Sequence, residues 1–180
     1  MRARPTVTSH AAFVQTTIDP PSGTLALPGL ALPDSESLRF YRDTFSQLPS
    51  PTGRALRGRF RAEFVGPFWL RYTARPGIAL MGLRKWFGKE LSGIGDAHNL
   101  VWHSQSLIRT LPMTLGHRAS FVDGKPCGLL SYGAASGFPF RHIVDELRVV
   151  NDDCLLGMTI ADAPLLRRLP FPFLLVRSDD

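Results

Sequence analysis

The stretch Leu56–Phe64 constrains the fold more tightly than any other part of the chain. Leu56, Gly58, Phe60, Ala62 and Phe64 alternate without exception with Arg57, Arg59, Arg61 and Glu63. Side chains of an extended strand point alternately to opposite faces, so this period of two puts the apolar groups on one face and the charges on the other. A helix would scatter the same residues around its axis. The chain therefore contains a strand with one wet and one dry face, and the dry face needs a core.

Further strand candidates follow at short intervals. Phe68–Tyr72, Ile78–Leu83, Asn99–Ile108, Cys127–Tyr132, Glu146–Val150, Cys154–Ile160 and Phe171–Arg177 are apolar runs bounded by turn residues. Asp123-Gly124, with Ala119–Val122 before it, predicts a hairpin with both central residues at positive φ. Asn151-Asp152-Asp153 predicts a second hairpin. One helix is expected over residues 35–48, where Leu38, Tyr41, Phe45 and Leu48 form a stripe after an Asp34 cap and before Pro49 and Pro51. With 16 Gly and 15 Pro in 180 residues, short elements and many turns are favoured over a helical bundle. No strand–helix–strand alternation is present, which argues against a parallel sheet. A mainly β, antiparallel barrel of about eight to ten strands with one N-terminal helix follows, because closure disposes of the sheet edges.

The length fits one domain, able to bury roughly 70% of its unfolded surface without disulfide or metal. Residues 1–33, with five prolines, are expected to form an irregular arm, and 34–180 the barrel domain. Residues 161–170 are expected to be a Pro-bounded loop. Net charge is +6, and residues 54–89 hold nine basic side chains against the single acid Glu63. That excess is either the solvated face of a strand or a surface for an anionic partner. Nucleic acid is the disfavoured partner, since the alternating strand offers no exposed aromatic row for base stacking. Cys127 and Cys154 show no metal spacing, no stretch approaches a membrane-spanning helix, and no secretory signal is evident. A cytoplasmic location is the expectation, with no metal and no obligatory cofactor.

The order of several short motifs resembles that of a bacterial family named for its Gly-x-Trp-x-Gly motif. Gly58-Arg59-Phe60-Arg61-Ala62 occupies the place of that motif, and Trp86-Phe87-Gly88-Lys89 that of the family's Trp-Tyr-Gly-Lys segment. Asp145-Glu146-Leu147-Arg148, Asn151-Asp152-Asp153 and Leu156-Gly157 match its Asp-x-Phe-Arg, acidic turn and Leu-Gly pattern. Phe60 stands for the Trp, Ala62 for the second Gly and Leu147 for the Phe. The resemblance spans about residues 36–177 and implies a lipocalin-like barrel, with no activity attached.

Such a barrel lines its interior with alternate residues of each strand and can hold one small molecule. Phe60, Trp86 and Trp102 are candidate liners, Lys89 a candidate contact for an anionic head group at the mouth, and Arg148 a candidate polar contact. If Leu147 and Val149 face inward, so does Asp145, which then needs a partner such as an arginine or Tyr132. Val150 belongs to the opposite register and leaves the face open. His103 is either a hydrogen-bonded strand histidine or a general base, with haem ligation as a minor alternative. Two functions are carried forward. One is binding of a small, mostly apolar organic ligand. The other is an enzyme on the same barrel, a cyclase or isomerase of a polyketide- or terpenoid-like substrate, with Asp145, His103 or Tyr132 as acid, base or donor.

Overall fold

A computed structural model describes residues 32–134, 136–161 and 169–179. Eight antiparallel strands run in sequence order and close on themselves. They are β1 (Arg57–Phe64), β2 (Trp86–Ser92), β3 (Ala97–His103), β4 (Ser106–Ala119), β5 (Pro126–Tyr132), β6 (Ile143–Asn151), β7 (Cys154–Ala161) and β8 (Phe171–Ser178). β1 pairs with β8 from Arg59↔Ser178 to Phe64↔Phe173, which removes the last free edge. The mainly β, antiparallel barrel expected from the alternation is what forms. In β1 the dry face is indeed inside: Phe60 and Ala62 are buried, and Arg57, Arg59 and Arg61 stand in solvent.

The barrel has two cores. Inside, Phe60, Leu91, Leu115, Leu130, Leu147 and Leu155 fill one end. Outside, helix α1 (Leu38–Phe45) lays Tyr41 and Phe45 against Val150, Leu156, Met158 and Leu174. Strands β6, β7 and β8 are thus covered on both faces; β7 and β8 read as nearly continuous apolar runs instead of alternating, while β6 buries Asp145, Glu146 and Arg148 among its apolar residues. The helix is shorter than 35–48, and its cap is Ser37, whose side chain accepts from the Phe40 amide, not Asp34.

A second helix, α2 (Phe68–Leu80), replaces the two strands expected over 68–72 and 78–83. Leu70, Thr73, Ala74, Gly77, Ile78 and Met81 recur at helical spacing and face the barrel. Pro76, which reads in sequence as a breaker, lies inside the helix. The single strand expected over 99–108 is a hairpin. β3 and β4 meet through Ser104, which adopts φ +54°, and Gln105, with His103 paired to Ser106. No glycine or proline marks that turn. The hairpin at Asp123-Gly124 exists, but β4 ends at Ala119 and only Gly124 of the pair takes positive φ. The Asp152-Asp153 turn and the closing strand β8 lie where the sequence puts them. The arm over 1–33, except its last two residues, and most of the 161–170 loop lie outside the described residues.

Because the strands form a meander, the β1–β2, β3–β4, β5–β6 and β7–β8 connections share one end of the barrel, here called the mouth. The opposite end is closed by a short 3₁₀ turn, Gly53–Leu56, and by Arg177, whose guanidinium lies 4.8 Å from the Phe60 ring centre and donates to the Arg57 carbonyl. Gly157 on β7 leaves the space that the Phe173 ring occupies, so this strand glycine marks ring packing and not an empty cavity.

Candidate functional site

A polar cluster sits between the apolar floor of the barrel and its mouth. Its members come from neighbouring strands at inward-facing positions: Lys89 opposite Asn99, Met113 opposite Tyr132, and Asp145 opposite Thr159. Local irregularity in the sheet brings them together. A bulge between Trp86 and Gly88 shifts β2 by one residue against β3. Trp86 and Lys89, an odd number of residues apart, therefore both point inward. Gly88 is what permits this strand to lie against β1, since a Cβ there would collide with the Phe60 carbonyl. A second bulge sets His98-Asn99 against Pro112 and Thr110, with Leu111 at φ +45°, and turns the Leu111 carbonyl toward the Asn99 amide at 3.4 Å.

Lys89 is the centre of the cluster. Its ammonium is 2.9 Å from Asp145 Oδ2, 3.2 Å from Asn99 Oδ1 and 3.5 Å from the Tyr132 oxygen. Thr159 donates to Asp145 Oδ1 at 2.6 Å. Trp86 Nε1 donates to Asn99 Oδ1 at 3.0 Å. Both Trp86 and Lys89 can only donate, which fixes the Asn99 amide with its oxygen toward them and its nitrogen toward Tyr132, at 3.1 Å. Tyr132 consequently receives from Asn99 and Lys89. Its own hydroxyl proton, committed to neither, is left to donate to another acceptor.

Burial alone would pull the Lys89 ammonium toward neutrality. The charge of Asp145, with the Tyr132 oxygen beside it, outweighs that and holds the lysine above its ordinary value. Burial pushes the Tyr132 hydroxyl above its usual value, against the opposing pull of Lys89, so it is a protonated donor at neutral pH. The cluster is thus a charge-neutral, almost fully bonded unit with one spare proton.

A cavity of about 70 Å³ opens above it, walled by Lys89, Asn99, Tyr132 and Asp145 and roofed by Ile78 and Met81 of α2. A larger apolar cavity of about 290 Å³ lies between α2 and the barrel rim, bordered by Trp69, Leu70, Phe171 and Pro172. The two share Ile78, Met81, Trp86, Thr159 and Phe173 as walls. A shift of those few side chains would join them.

The structure places the other sequence candidates as follows. Phe60 is inside but at the closed end, against Arg177. Trp102 is outside, edge-on to Phe87 and 39% exposed. His103 is exposed at the β3–β4 hairpin, away from the cavity. Arg148 faces out of the barrel and is buried under α1, where it donates to the Phe45 carbonyl and to both oxygens of Asp123. Lys89 is not at the rim but deep in the interior, and the partner of Asp145 is Lys89. The residues that sequence reasoning missed are Asn99, Thr159, Ile78 and Met81. A trace of the first two was present: each is a polar residue in the inward phase of an apolar strand.

No protein-family model matches the chain, and no curated protein matches it. Among solved structures, a protein from Thermomonospora curvata is similar, with a TM-score of 0.61 and 22% identity over 81% of this chain and 90% of that one. At that identity the likeness is one of fold.

Proposed function

We propose that the protein binds a small, mostly apolar organic molecule in the mouth half of the barrel, in the manner of a lipocalin. Such a ligand presents a carbonyl or similar oxygen acceptor to Tyr132. The observation that carries the reading is the Tyr132 hydroxyl. It is partly buried, it is held by two donors that leave its own proton free, and Tyr132 walls a cavity that shares walls with an apolar chamber. Pockets of this kind recognise ligands by apolar area and orient them by one or two fixed polar groups. The inner cavity is too small for a terpenoid-sized molecule. The body of the ligand would lie in the chamber under α2, with its oxygen reaching inward past Trp86 and Phe173.

The enzyme alternative, a cyclase or isomerase of a polyketide- or terpenoid-like substrate, has one observation in its favour. A neutral hydroxyl donor and a carboxylate face the same cavity, as polarising a carbonyl and accepting a proton would require. His103 has no part in that arrangement.

Native mass spectrometry with solvent extraction tests binding directly. The expected result is a stoichiometric adduct carrying an oxygen acceptor, bound at least about tenfold more weakly by Tyr132→Phe, the worth of one buried hydrogen bond. A protein that carries no adduct and shows no saturable uptake of long-chain ketones, aldehydes or esters would overturn the reading. Conversion of the extracted molecule by the wild type, lost in Asp145→Asn with binding retained, would replace binding by catalysis.

A further inference from the structure

The two ends of the barrel differ in charge and polarity in a way that neither the cavity nor the fold requires. At the mouth, the described connections 65–85, 104–105 and 133–142 hold five basic residues, Arg71, Arg75, Arg84, Lys85 and Arg141, and no acid of their own, with Asp34 and Glu63 of β1 standing beside Arg71. At the closed end, the turns 93–96, 120–125 and 152–153 hold four acids, Asp96, Asp123, Asp152 and Asp153, and one lysine. Arg71 is paired with Asp34 at 3.2 Å, whereas Arg75, Arg84 and Lys85 form no ion pair among the described residues.

Exposed apolar groups follow the same polarity. Among the described residues, every large apolar side chain that stands exposed is at the mouth end, except Ile94. Helix α2 contributes most. Its inner face closes the cavity, but its outer face carries Phe68, Tyr72 and Leu80, exposed by 78%, 74% and 91%. Phe68 stacks on Tyr72 one turn away, and Arg75 continues that stripe. Phe138 and Leu169 are exposed on two further mouth connections, Leu169 beside α1. A helix on the surface of a soluble domain ordinarily turns charge to water, and contiguous exposed apolar area rimmed by polar groups marks an interaction site.

We infer that the mouth end docks onto an anionic lipid surface, with α2 lying in the headgroup region. Aromatic and aliphatic groups interleaved with unpaired arginines and a lysine fit such a surface: the apolar groups enter the acyl boundary and the cations meet the headgroups. Base stacking would use the aromatic rings but leave Leu80 and Leu169 without a role. Two of the four acids at the closed end are neutralised, Asp123 by Arg148 and Asp153 by Arg177, so it is the cations and apolar groups of the mouth that turn this end toward the membrane. Docking does not require an occupied cavity, and it leaves α2 as the layer between the membrane and the apolar chamber beneath the helix.

The full chain is tested by sedimentation with vesicles of phosphatidylcholine alone and of phosphatidylcholine with roughly one-third phosphatidylglycerol. The expected result is partitioning onto the anionic vesicles, reduced by salt, with a blue shift of tryptophan emission from Trp69 and Trp102. Phe68→Ser with Tyr72→Ser removes the binding. Arg75→Glu, Arg84→Glu and Lys85→Glu together lower it by at least about 100-fold. All five positions lie outside the cores, so melting temperatures close to the wild type are the control. Equal binding of both vesicle types, or binding untouched by either set of variants, would overturn the inference. So would an absence of vesicle binding combined with self-association or nucleic-acid binding that the same variants abolish.

Discussion

Burying Lys89 and Asp145 takes two charges out of water, at a cost of several kcal/mol for each ion that their attraction only partly offsets. Such a pair adds little net stability, yet removing one member leaves the other stranded. Asp145→Asn is expected to destabilise the fold by about 3–5 kcal/mol, whereas Lys89→Met with Asp145→Leu is expected to fall within about 1–2 kcal/mol of the wild type or to exceed it. Urea unfolding checks both, and equal midpoints for Asp145→Asn and the wild type would show that Lys89 gives up its charge in the barrel. At this scale the sequence was legible where the strand phase was regular. Asp145 shares the phase of Leu147 and Val149, and all three are inside. Its partner was not legible, because the bulge at Trp86/Gly88 changes the phase of β2 and leaves no residue-type signature. The same phase rule puts Arg148 outside, where α1 covers it.

Helix α2 is the element that sequence patterning misread, and the physical reason lies in its two faces. Its outer face carries Phe68, Tyr72 and Leu80 beside its arginines, so apolar groups stand on both sides of the helix. Phe68-Trp69-Leu70 and Ile78-Ala79-Leu80-Met81 therefore show continuous apolar runs, which short strands also show. Pro76-Gly77 between them imitates a turn. In the helix, Pro76 removes a donor that the Tyr72 carbonyl would otherwise receive and crowds that carbonyl. Pro76→Ala is therefore expected to stabilise α2 by about 1–3 kcal/mol. It should raise the melting temperature and, under the binding function proposed above, slow ligand association through a more firmly seated roof. A lower melting temperature would mean that the fixed geometry of proline at this position helps to seat the helix on the barrel. The hairpin at Ser104-Gln105 escaped for the opposite reason, since nothing in its composition distinguishes it from the strands it joins.

At the scale of the molecule, α1, the β4–β5 turn and β6 are tied together outside the barrel by Arg148 and Asp123, at 2.8 Å from each of the guanidinium's terminal nitrogens Nη1 and Nη2. Burial alone would raise the Asp123 carboxyl, but the hydrogen bonds from Arg148 outweigh it and hold the group below the usual carboxylate range. A carboxyl with a depressed value contributes stability above its unfolded value, near pH 4, and loses it as the pH falls through the folded one. Wild type is thus expected to weaken between about pH 5 and pH 3. Asp123→Asn should be less stable at neutral pH and less sensitive to acid. Urea unfolding at the two pH values measures this, and parallel losses in both proteins would assign the acid response elsewhere. The closed barrel itself was legible in the sequence, because strict alternation and the lack of crossover helices leave few other solutions. Closure also has a consequence during synthesis. The ribosome delivers β1 early, but its second neighbour, β8, is made of residues 171–178. Until those last strand residues emerge, β1 keeps one edge unpaired and Phe60 is without the Arg177 that caps it. Chain interruption before Phe171 would therefore yield no smaller closed barrel, only an open sheet that must be shielded from its neighbours.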